Sequence, residues 1–190
     1  MSATINQEKR HFPVLLDEII KIISPQYSGT FLDCTFGQGG YSEKILENSK
    51  NKVIAFDRDS SALKLSEKFK THFKNRFQFN HKRFSEIKNI NNKNIKAIIF
   101  DLGYSTDQIF DEQKKLSFNS KGKLNMKMGL NRFSAHEVIN KLDKIDLTKI
   151  FKFFGEDKDA KKITKEILKK RIQKTLQTED LVDIINKTKK

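Results

Sequence analysis

Three glycines and an aspartate in the first third of the chain could together hold a nucleotide-like ligand. Residues 33–47 read DCTFGQGGYSEKILE, so Gly37, Gly39 and Gly40 stand between an apolar run and a helical pattern. A backbone without side chains at such a turn lets a ligand approach closely. Asp57 ends the next apolar run, where an acidic residue can accept hydrogen bonds from both hydroxyls of a ribose. The pattern favours a cofactor that contains adenosine.

Other interpretations of these residues remain open. Ser42 occupies the third glycine position of the strict dinucleotide pattern, which disfavours a nicotinamide oxidoreductase, and a plain tight turn with solvated acids is the structural alternative. Asp101 ends the fourth apolar run, where it faces the reacting end of the cofactor or is a solvated acid at a strand end. Phe84 ends the third, where it covers an adenine face or is an ordinary core residue.

Four apolar runs, each with the character of a buried strand, must position these residues. They alternate with helical patterns, which is typical of a parallel, doubly wound α/β sheet with ligands at the carboxyl ends of its strands, here in the order 3-2-1-4. The predicted strands are residues 30–36, 52–59, 76–84 and 95–103. The predicted helices are residues 13–23, with Pro13 in the first turn, 42–48, and 60–73, with Ser60 or Ser61 as N-cap.

The second half of the chain has a different texture. Residues 105–133 are polar and loop-like, and from residue 134 onward the pattern is helical. Ser134, Asp157 and Thr178 are the predicted N-caps of these helices. The sequence therefore predicts a Rossmann-like core over residues 1–110 and a loop and helical module over residues 111–190.

The charge balance favours a polyanionic partner. The 190 residues carry 38 Lys and Arg against 24 Asp and Glu, a net charge of +14. Nucleic acid is the first expectation and an acidic membrane surface the second, while a proteome rich in Lys and Asn would give the same excess without a partner. Eight Lys or Arg within residues 158–174 would hold phosphates, or else form a solvated helix face.

Other residue types exclude several classes of protein. The single cysteine, Cys34, lies in an apolar run, so no disulfide framework exists and a buried structural thiol is expected. Cys34 and the four histidines lack the spacing of metal ligands, so we expect no metal. The first twelve residues lack the apolar core of a signal peptide, and no run of 18 apolar residues occurs. We therefore expect a soluble, cytoplasmic protein without a membrane partner.

Six short segments, in their order along the chain, carry a more specific resemblance to a known family. The chain resembles the S-adenosylmethionine-dependent methyltransferases that modify N4 of a cytidine in 16S ribosomal RNA, the RsmH or MraW type. The resemblance spans residues 11–186 and implies a Rossmann-like methyltransferase core with a helical substrate-recognition insertion. The segments that carry it are HFPVLLDEII, DCTFGQGGYS, AFDRD, FDLGYSTDQI, LSFNSKGKLNMKM and FFGEDKDAKKI.

The resemblance also implies site residues, a cofactor and a partner. The cofactor is S-adenosyl-L-methionine, and the partner is 16S rRNA or the small ribosomal subunit. Asp101, with the carbonyls of Leu102 and Gly103, would accept the N–H bonds of the target amine, and Asp101 is the catalytic candidate. Gln108 is implied by the family motif alone and is otherwise a polar loop residue. The implied cofactor contacts are Gly39, Gly40, Tyr41, Asp57, Phe84, Asp101 and Gln108.

The sequence departs from the family pattern at several positions. Tyr41 replaces a histidine, Tyr104-Ser-Thr-Asp replaces Val-Ser-Ser-Pro, and Asn125 stands where the family has aspartate. An amide cannot accept a proton as a carboxylate does, so the identity of any general base is open. A non-catalytic RNA-binding module with a vestigial cofactor loop is the alternative function.

The end of the chain carries a further expectation. Family members continue beyond LVDIINKTKK, so we expect a fragment or truncated product that leaves the apolar fourth strand as an exposed edge. Such a chain would bind S-adenosylmethionine weakly and transfer no methyl group at a detectable rate. It would also self-associate, so a homo-oligomer is possible.

Overall fold

The computed structural model describes residues 13–91 and 94–189. Contacts between Cα atoms divide the chain into two compact units, residues 1–105 and 106–190, and each is described by itself. The segment 1–12, in which the sequence predicts no signal peptide, lies outside the described residues. The functional division into residues 1–110 and 111–190 stays a prediction.

A four-stranded, all-parallel sheet in the order β3-β2-β1-β4 forms the centre of the first unit. The predicted α/β class and strand order are therefore confirmed. Asp33, the last residue of β1, pairs in register with Ala55 of β2 and Ile99 of β4, so the carboxyl ends of these strands lie at one edge. The strands are β1 Thr30–Asp33, β2 Lys52–Asp57, β3 Phe77–His81 and β4 Ile95–Ile99.

The two faces of the sheet are covered unequally. One face carries Phe31, Val53 and Ala55, in a buried cluster with side chains of the three helices that accompany the sheet. The opposite face carries Leu32, Ile54 and Phe56, against which a 3-10 turn packs Ile87. The alternation follows from the two-residue period of a strand. The helices are α1 Leu16–Ile23, α2 Gly40–Leu46 and α3 Ser61–Phe73, and the 3-10 turns are Pro25–Tyr27, Lys74–Arg76 and Phe84–Asn89.

The lone thiol has the predicted structural character. Cys34 follows β1, is buried, and belongs to the cluster beneath the 3-10 turn. Burial raises the pKa of its thiol to about 11, so the thiolate that reacts or binds metal is disfavoured.

Strands and the first helix are shorter than predicted, for local reasons. β2 ends at Asp57 rather than 59 because the Asp57 carboxylate accepts a hydrogen bond from the Asp59 N–H at 2.8 Å, which bends the backbone. α1 begins at Leu16 rather than 13, so Pro13 is not in its first turn. The Tyr41 hydroxyl donates to the Val14 carbonyl at 2.5 Å, which holds this segment outside the helix.

β4 is an edge strand among the described residues, since it pairs with β1 alone. It ends at Ile99, two residues before Asp101. Ile98 is exposed, as is Phe100 just beyond the strand. Self-association through this edge stays a prediction.

Five helices and a π-helical turn build the second unit. Their core contains Leu147, Ile163, Ile167 and Leu176, which are fully buried. The segment predicted as loop-like, residues 105–133, contains one short helix. The helices are α4 Thr106–Phe110, α5 Ala135–Lys141, α6 Lys144–Lys149, α7 Ala160–Arg171 and α8 Thr178–Thr188, and the π-turn is Ile150–Phe154.

Of the predicted N-caps, Ser134 is confirmed: its hydroxyl accepts from the Glu137 N–H at 3.2 Å, and Glu137 accepts from the Ser134 N–H at 2.9 Å. Asp157 is wrong, because α7 begins at Ala160 and the N-cap position is Asp159, two residues after Asp157. Thr178 is also wrong. Thr178 is the first residue of α8, and its hydroxyl donates to the Gly122 carbonyl at 2.9 Å. The N-cap is Gln177, whose N–H donates to the Asp180 carboxylate at 3.0 Å.

The predicted N-cap position of α3 is correct, but the side chain of an acid supplies the hydrogen bond. Ser60 stands at the N-cap position but makes no capping hydrogen bond with its side chain. The Asp59 carboxylate instead accepts from the Ser61 N–H at 3.1 Å. Carboxylates compete well for orphan N–H groups at a helix start, and here the acid one residue earlier takes that role.

Candidate functional site

Three aspartates lie where the parallel strands of the first unit end. Asp33 ends β1, Asp57 ends β2, and Asp101 follows β4 by two residues. Ligands of open α/β sheets bind outside the carboxyl ends of the strands. The edge therefore has the position and the acceptor groups that a hydroxylated ligand requires.

Asp57 is held by the glycine loop. One carboxylate oxygen accepts from the Gly37 N–H at 2.7 Å and the other from the Asp59 N–H at 2.8 Å. Burial raises the pKa of Asp57 above its ordinary value, although these hydrogen bonds oppose the shift. Each carboxylate oxygen has a second lone pair, so Asp57 can still accept hydrogen bonds from a ligand.

The three glycines of the loop are required for different reasons. Gly37 has φ +49° and open space beside it, with no atom closer than 3.8 Å to a Cβ built there. A Cβ at Gly39 would lie 2.7 Å from the Phe69 ring, and one at Gly40 would lie 2.4 Å from Pro13. Within the described residues, the close neighbours of Gly39 and Gly40 are therefore side chains of this protein, and Gly37 is the position that stays open.

Tyr41 follows the glycine pair in the first turn of α2. Its side chain is buried, and its hydroxyl donates to the Val14 carbonyl. Burial and the nearby charge of Asp101 raise the pKa of Tyr41. A cofactor contact at this position stays a prediction, and it would use the main chain because the hydroxyl is already engaged.

Phe84 is not a core residue. It begins the 3-10 turn three residues beyond β3, and 38% of it is exposed. Its ring meets the ring of Phe100 edge to face, with centroids 5.4 Å apart. The sequence-based alternative of an ordinary core phenylalanine is wrong, and part of the Phe84 side chain is accessible to a ligand.

Asp101 is exposed, and its backbone is bonded to the segment that follows β1. Its N–H donates to Thr35 Oγ1 at 2.8 Å. Leu102 and Gly103 follow it and are also exposed. The carboxylate and the next two carbonyls thus form a short run of acceptors at the sheet edge, and their catalytic role stays a prediction.

Sequence reasoning missed the buried acid at the centre of this edge. Asp33 accepts from Ser42 Oγ at 2.7 Å and from the Thr35 N–H at 3.2 Å. Burial raises the pKa of Asp33 to about 6, although both hydrogen bonds oppose the shift and Asp57 adds to it. The signal was an aspartate ending an apolar strand, with Ser42 in place of the expected third glycine.

Two other sequence candidates lie in the second unit. Gln108 lies on α4, so its proposed cofactor contact stays a prediction. Asn125 uses its amide as a donor, with Nδ2 2.9 Å from the Gln113 carbonyl. A carboxylate could not make that hydrogen bond, so this chain employs Asn125 in the structure of the unit.

Half of the basic segment 158–174 is engaged within the second unit. Arg171 donates to the Leu142 carbonyl at 2.7 Å and to the Ile139 carbonyl at 3.2 Å. Lys170 and Lys174 pair with Asp180 at 2.9 and 2.7 Å, and Lys162 pairs with Asp159 at 2.7 Å. Three further lysines of α7 are exposed, and they form what we call the basic face: Lys161, Lys165 and Lys169.

Two features are absent from the part of the chain that the structure describes. No group of three or more His, Cys, Asp or Glu side chains there could hold a metal ion. No helix there is both long and apolar enough to cross a membrane.

The fold and this edge together define a Rossmann-like α/β domain with a glycine-rich first loop and an acid at the end of the second strand. The chain belongs to the MraW methylase family, whose model matches residues 8–190. The family resemblance stated from the sequence is therefore confirmed.

Curated relatives agree with the family assignment. The chain is 37% identical over 178 residues to the ribosomal RNA small subunit methyltransferase H of Orientia tsutsugamushi (strain Ikeda), covering 90% of this chain and 57% of the relative. It is 40% identical over 184 residues to the protein of that name from Campylobacter jejuni, covering 94% of this chain and 59% of the relative. The chain thus spans somewhat more than half the length of these relatives.

Proposed function

We propose that the protein transfers the methyl group of S-adenosylmethionine to N4 of a cytidine in 16S rRNA, on the small ribosomal subunit in the cytoplasm. The observation that carries the proposal is the hydrogen bond of Asp57 to the open Gly37 of the glycine loop, at the carboxyl edge of the sheet. The names of the relatives support small-subunit rRNA as the substrate class.

The residues present fit the proposed cofactor. Asp57 is a half-buried carboxylate whose remaining lone pairs suit two ribose hydroxyls. Gly37 leaves the loop open beside it, and Phe84 offers an aromatic face for adenine. When bound, S-adenosylmethionine supplies a methyl group already activated by its sulfonium. Gly39, Gly40, Tyr41 and Gln108 are the further proposed contacts.

The chain's own residues would orient the accepting amine. The exocyclic amine of cytosine is a poor nucleophile because its lone pair is delocalised into the ring. Hydrogen bonds from its N–H groups to the Asp101 carboxylate and to the carbonyls of Leu102 and Gly103 would favour a pyramidal nitrogen with an available lone pair. The Thr35 hydroxyl, which accepts from the Asp101 N–H, would fix these acceptors and so reduce the entropy cost of alignment. The cytosine must leave any stack to reach them.

Cofactor binding tests the proposal and separates it from its alternative. Titration of the 190-residue chain with S-adenosylmethionine and with NAD should give binding heat for the first alone. An RNA-binding module with a vestigial loop would bind neither. Binding of NAD alone would contradict the proposal and favour the function of a nicotinamide oxidoreductase.

The position of methylation needs a product analysis. Labelled-methyl transfer to isolated small ribosomal subunits, followed by mass spectrometry of the nucleosides, distinguishes N4-methylcytidine from other products. The Campylobacter jejuni relative is the positive control. Another methylated nucleoside would contradict the N4 assignment.

The basic face should carry the electrostatic part of RNA binding. Changing Lys161, Lys165 and Lys169 to Glu should weaken RNA binding roughly tenfold or more at low salt and reduce its salt dependence. Arg171 is left unchanged because it holds two carbonyls within the unit. Binding is measured by fluorescence anisotropy across a salt series.

A matched variant separates local charge from net charge. Lys50, Lys64 and Lys68 are exposed lysines of the first unit, and their change to Glu alters the net charge equally. Equal losses in the two variants would mean that the basic face is only a solvated surface.

A further inference from the structure

Two adjacent aromatic side chains of the second unit face solvent. Phe154 is 88% exposed and Phe153 is 66% exposed. They end the π-turn, in which the Gly155 N–H donates to the Ile150 carbonyl, five residues back, at 3.3 Å. Exposed apolar surface of this kind can mark an interaction site when further features point to a ligand.

The π-turn is the reason that Phe154 points outward. In a regular helix, Leu147, Phe151 and Phe154 would share one face, at i, i+4 and i+7. Leu147 is fully buried and Phe151 packs against the helical core. The wider turn shifts the next residues out of this stripe, so the apolar face stops at Phe151. Such π-turns occur frequently at functional sites.

The backbone after the exposed rings is fixed. A Cβ at Gly155 would lie 2.7 Å from the Phe151 carbonyl oxygen, so a side chain is excluded there. That carbonyl accepts from the Asp157 N–H at 3.1 Å. The Asp157 carboxylate pairs with Lys189 at 2.8 Å and accepts from the Asp159 N–H at 2.9 Å. The rings therefore stand on an ordered support, which lowers the entropy cost of binding.

Lys152 places a positive charge next to the Phe153 ring. Lys152 Nζ lies 5.6 Å from the centroid of the Phe153 ring, and Lys158 is exposed beyond the turn. Residues 106–190 carry 21 Lys and Arg against 13 Asp and Glu. Aromatic faces interleaved with cations are the arrangement on which single-stranded nucleic acids bind, because bases stack while phosphates are neutralised.

We propose that Phe153 and Phe154 form a stacking platform for unpaired bases of single-stranded RNA, with Lys152 at the adjoining phosphate. The inference rests on the proposed function for RNA as the ligand, and it adds a base-binding site remote in sequence from the cofactor residues. Stacking tolerates any base because each has a π-face, so the platform selects unpaired strands over duplexes rather than a sequence.

The absence of tryptophan in the chain provides a direct measurement. Phe154→Trp introduces a single indole whose emission a stacked base should quench, so titration with a 12-nucleotide single-stranded RNA should quench it. A duplex of the same length should leave it nearly unchanged. Absence of quenching by single-stranded RNA that binds in anisotropy would overturn the proposal.

Truncation variants test the energetic contribution of the rings. Phe153→Ala with Phe154→Ala should weaken single-stranded RNA binding roughly tenfold or more and leave duplex binding within about twofold. Leu at both positions keeps an apolar surface without a π-face, and it should bind as weakly as Ala. Ile172→Ala removes an equally exposed side chain, 85% accessible, and should have no effect.

The same measurements separate this inference from the function on which it rests. If wild-type protein binds RNA and the alanine variant binds it equally well, the platform is wrong and the proposed function stands. If wild-type protein binds no RNA, both the RNA part of the proposed function and the platform fail. If the variants change sedimentation instead of RNA affinity, the rings contact a protein surface and the proposal is overturned.

Discussion

Asp33 in the first unit and Asp180 in the second are both buried aspartates, and the two acids behave in opposite ways. Asp33 in the first unit is 0% exposed and Asp180 in the second is 6% exposed. Burial raises the pKa of Asp33 to about 6, because its partners are a hydroxyl and an N–H and its charged neighbours are acids. Burial alone would also raise the pKa of Asp180, but Lys174, Lys170 and the residue 177 N–H together lower it to about 2.

The difference teaches that burial does not decide the charge of an acid; its partners do. The second unit uses Asp180 to tie α7 to the start of α8, with two lysines that also neutralise it. The first unit keeps Asp33 behind the glycine loop, among other acids, where ionisation is unfavourable. Asp33 thus lowers stability at the candidate ligand-binding edge, whereas Asp180 raises stability in the packed helical unit, although both residues are aspartates.

The largest expected effect is the loss of Asp180. Asp180→Ala should lower the free energy of unfolding of the second unit by about 3 kcal/mol, because a charged acceptor with three hydrogen bonds is removed. Since the folded pKa lies below the ordinary value of 3.8, the stabilisation is complete above about pH 4 and is lost as the pH falls toward 2. Hydrogen exchange of amides in α7 and α8 measures both effects.

Asp183→Ala is the matched control, because Asp183 lies on the same helix and is exposed. It should change stability by less than about 0.5 kcal/mol. A loss as large as that of Asp180→Ala would show that α8 depends on its total charge rather than on the buried ion pairs.

A smaller effect of opposite sign is expected at Asp33. Its folded pKa of about 6 lies above the ordinary 3.8, so the folded state holds a proton that the unfolded state releases between these values. The stability of the first unit should therefore fall by about 2 to 3 kcal/mol as the pH rises from about 4 to 6. Hydrogen exchange of β1 and β2 amides across that range measures the slope.

Asp33→Asn should remove the part of this slope that Asp33 contributes. Its amide can still accept from the Thr35 N–H and donate to the Ser42 hydroxyl, so the hydrogen bonds survive without a titrating group. Asp33→Ala leaves both partners unsatisfied and should destabilise the first unit at every pH. An unchanged slope in Asp33→Asn would mean that another acid, such as Asp57, titrates in this window.

The sheet and its order were predictable from the sequence because β1 and β2 are buried on both faces and read as continuous apolar runs. Their ends were not, because strand termination depends on which backbone N–H a carboxylate captures, as Asp57 does with Asp59. The N-cap at Ser134 was predictable because both partners lie within four residues. Thr178 was not, because its hydroxyl donates to Gly122, far away in sequence.

The candidate site divides in the same way. The positions of Asp57 and Asp101 at the sheet edge were predictable because an apolar run identifies the carboxyl end of a strand, and their roles stay predictions. The reasons for Gly39 and Gly40 were not, since Phe69 and Pro13 are the side chains that exclude a Cβ there. The burial of Asp33 and the outward turn of Phe154 depend on packing, which the hydrophobic period of the sequence does not encode.

The smallest of the three effects is expected at Asp57, which is less buried than Asp33 and Asp180. Asp57→Ala should weaken S-adenosylmethionine binding at least tenfold, about 1.4 kcal/mol, because a charged acceptor for the ribose hydroxyls is lost. The carboxylate also accepts from the Gly37 N–H, so alanine disturbs the glycine loop as well, and calorimetry of this variant alone would not distinguish the two causes.

A ligand lacking one hydroxyl separates them. S-adenosylhomocysteine and its 2′-deoxy analogue form a cycle with wild-type protein and Asp57→Ala, in which the coupling energy isolates the direct contact. If Asp57 accepts from the ribose, removing the hydroxyl should weaken binding to wild-type protein several-fold and leave binding to Asp57→Ala nearly unchanged. If the hydroxyl matters equally in both proteins, Asp57 acts only by holding Gly37, and the ribose acceptor lies at another residue of the edge. In that case Asp57 would have a structural role like that of Asp180. Asp33 alone would then distinguish the acids of the first unit from those of the second.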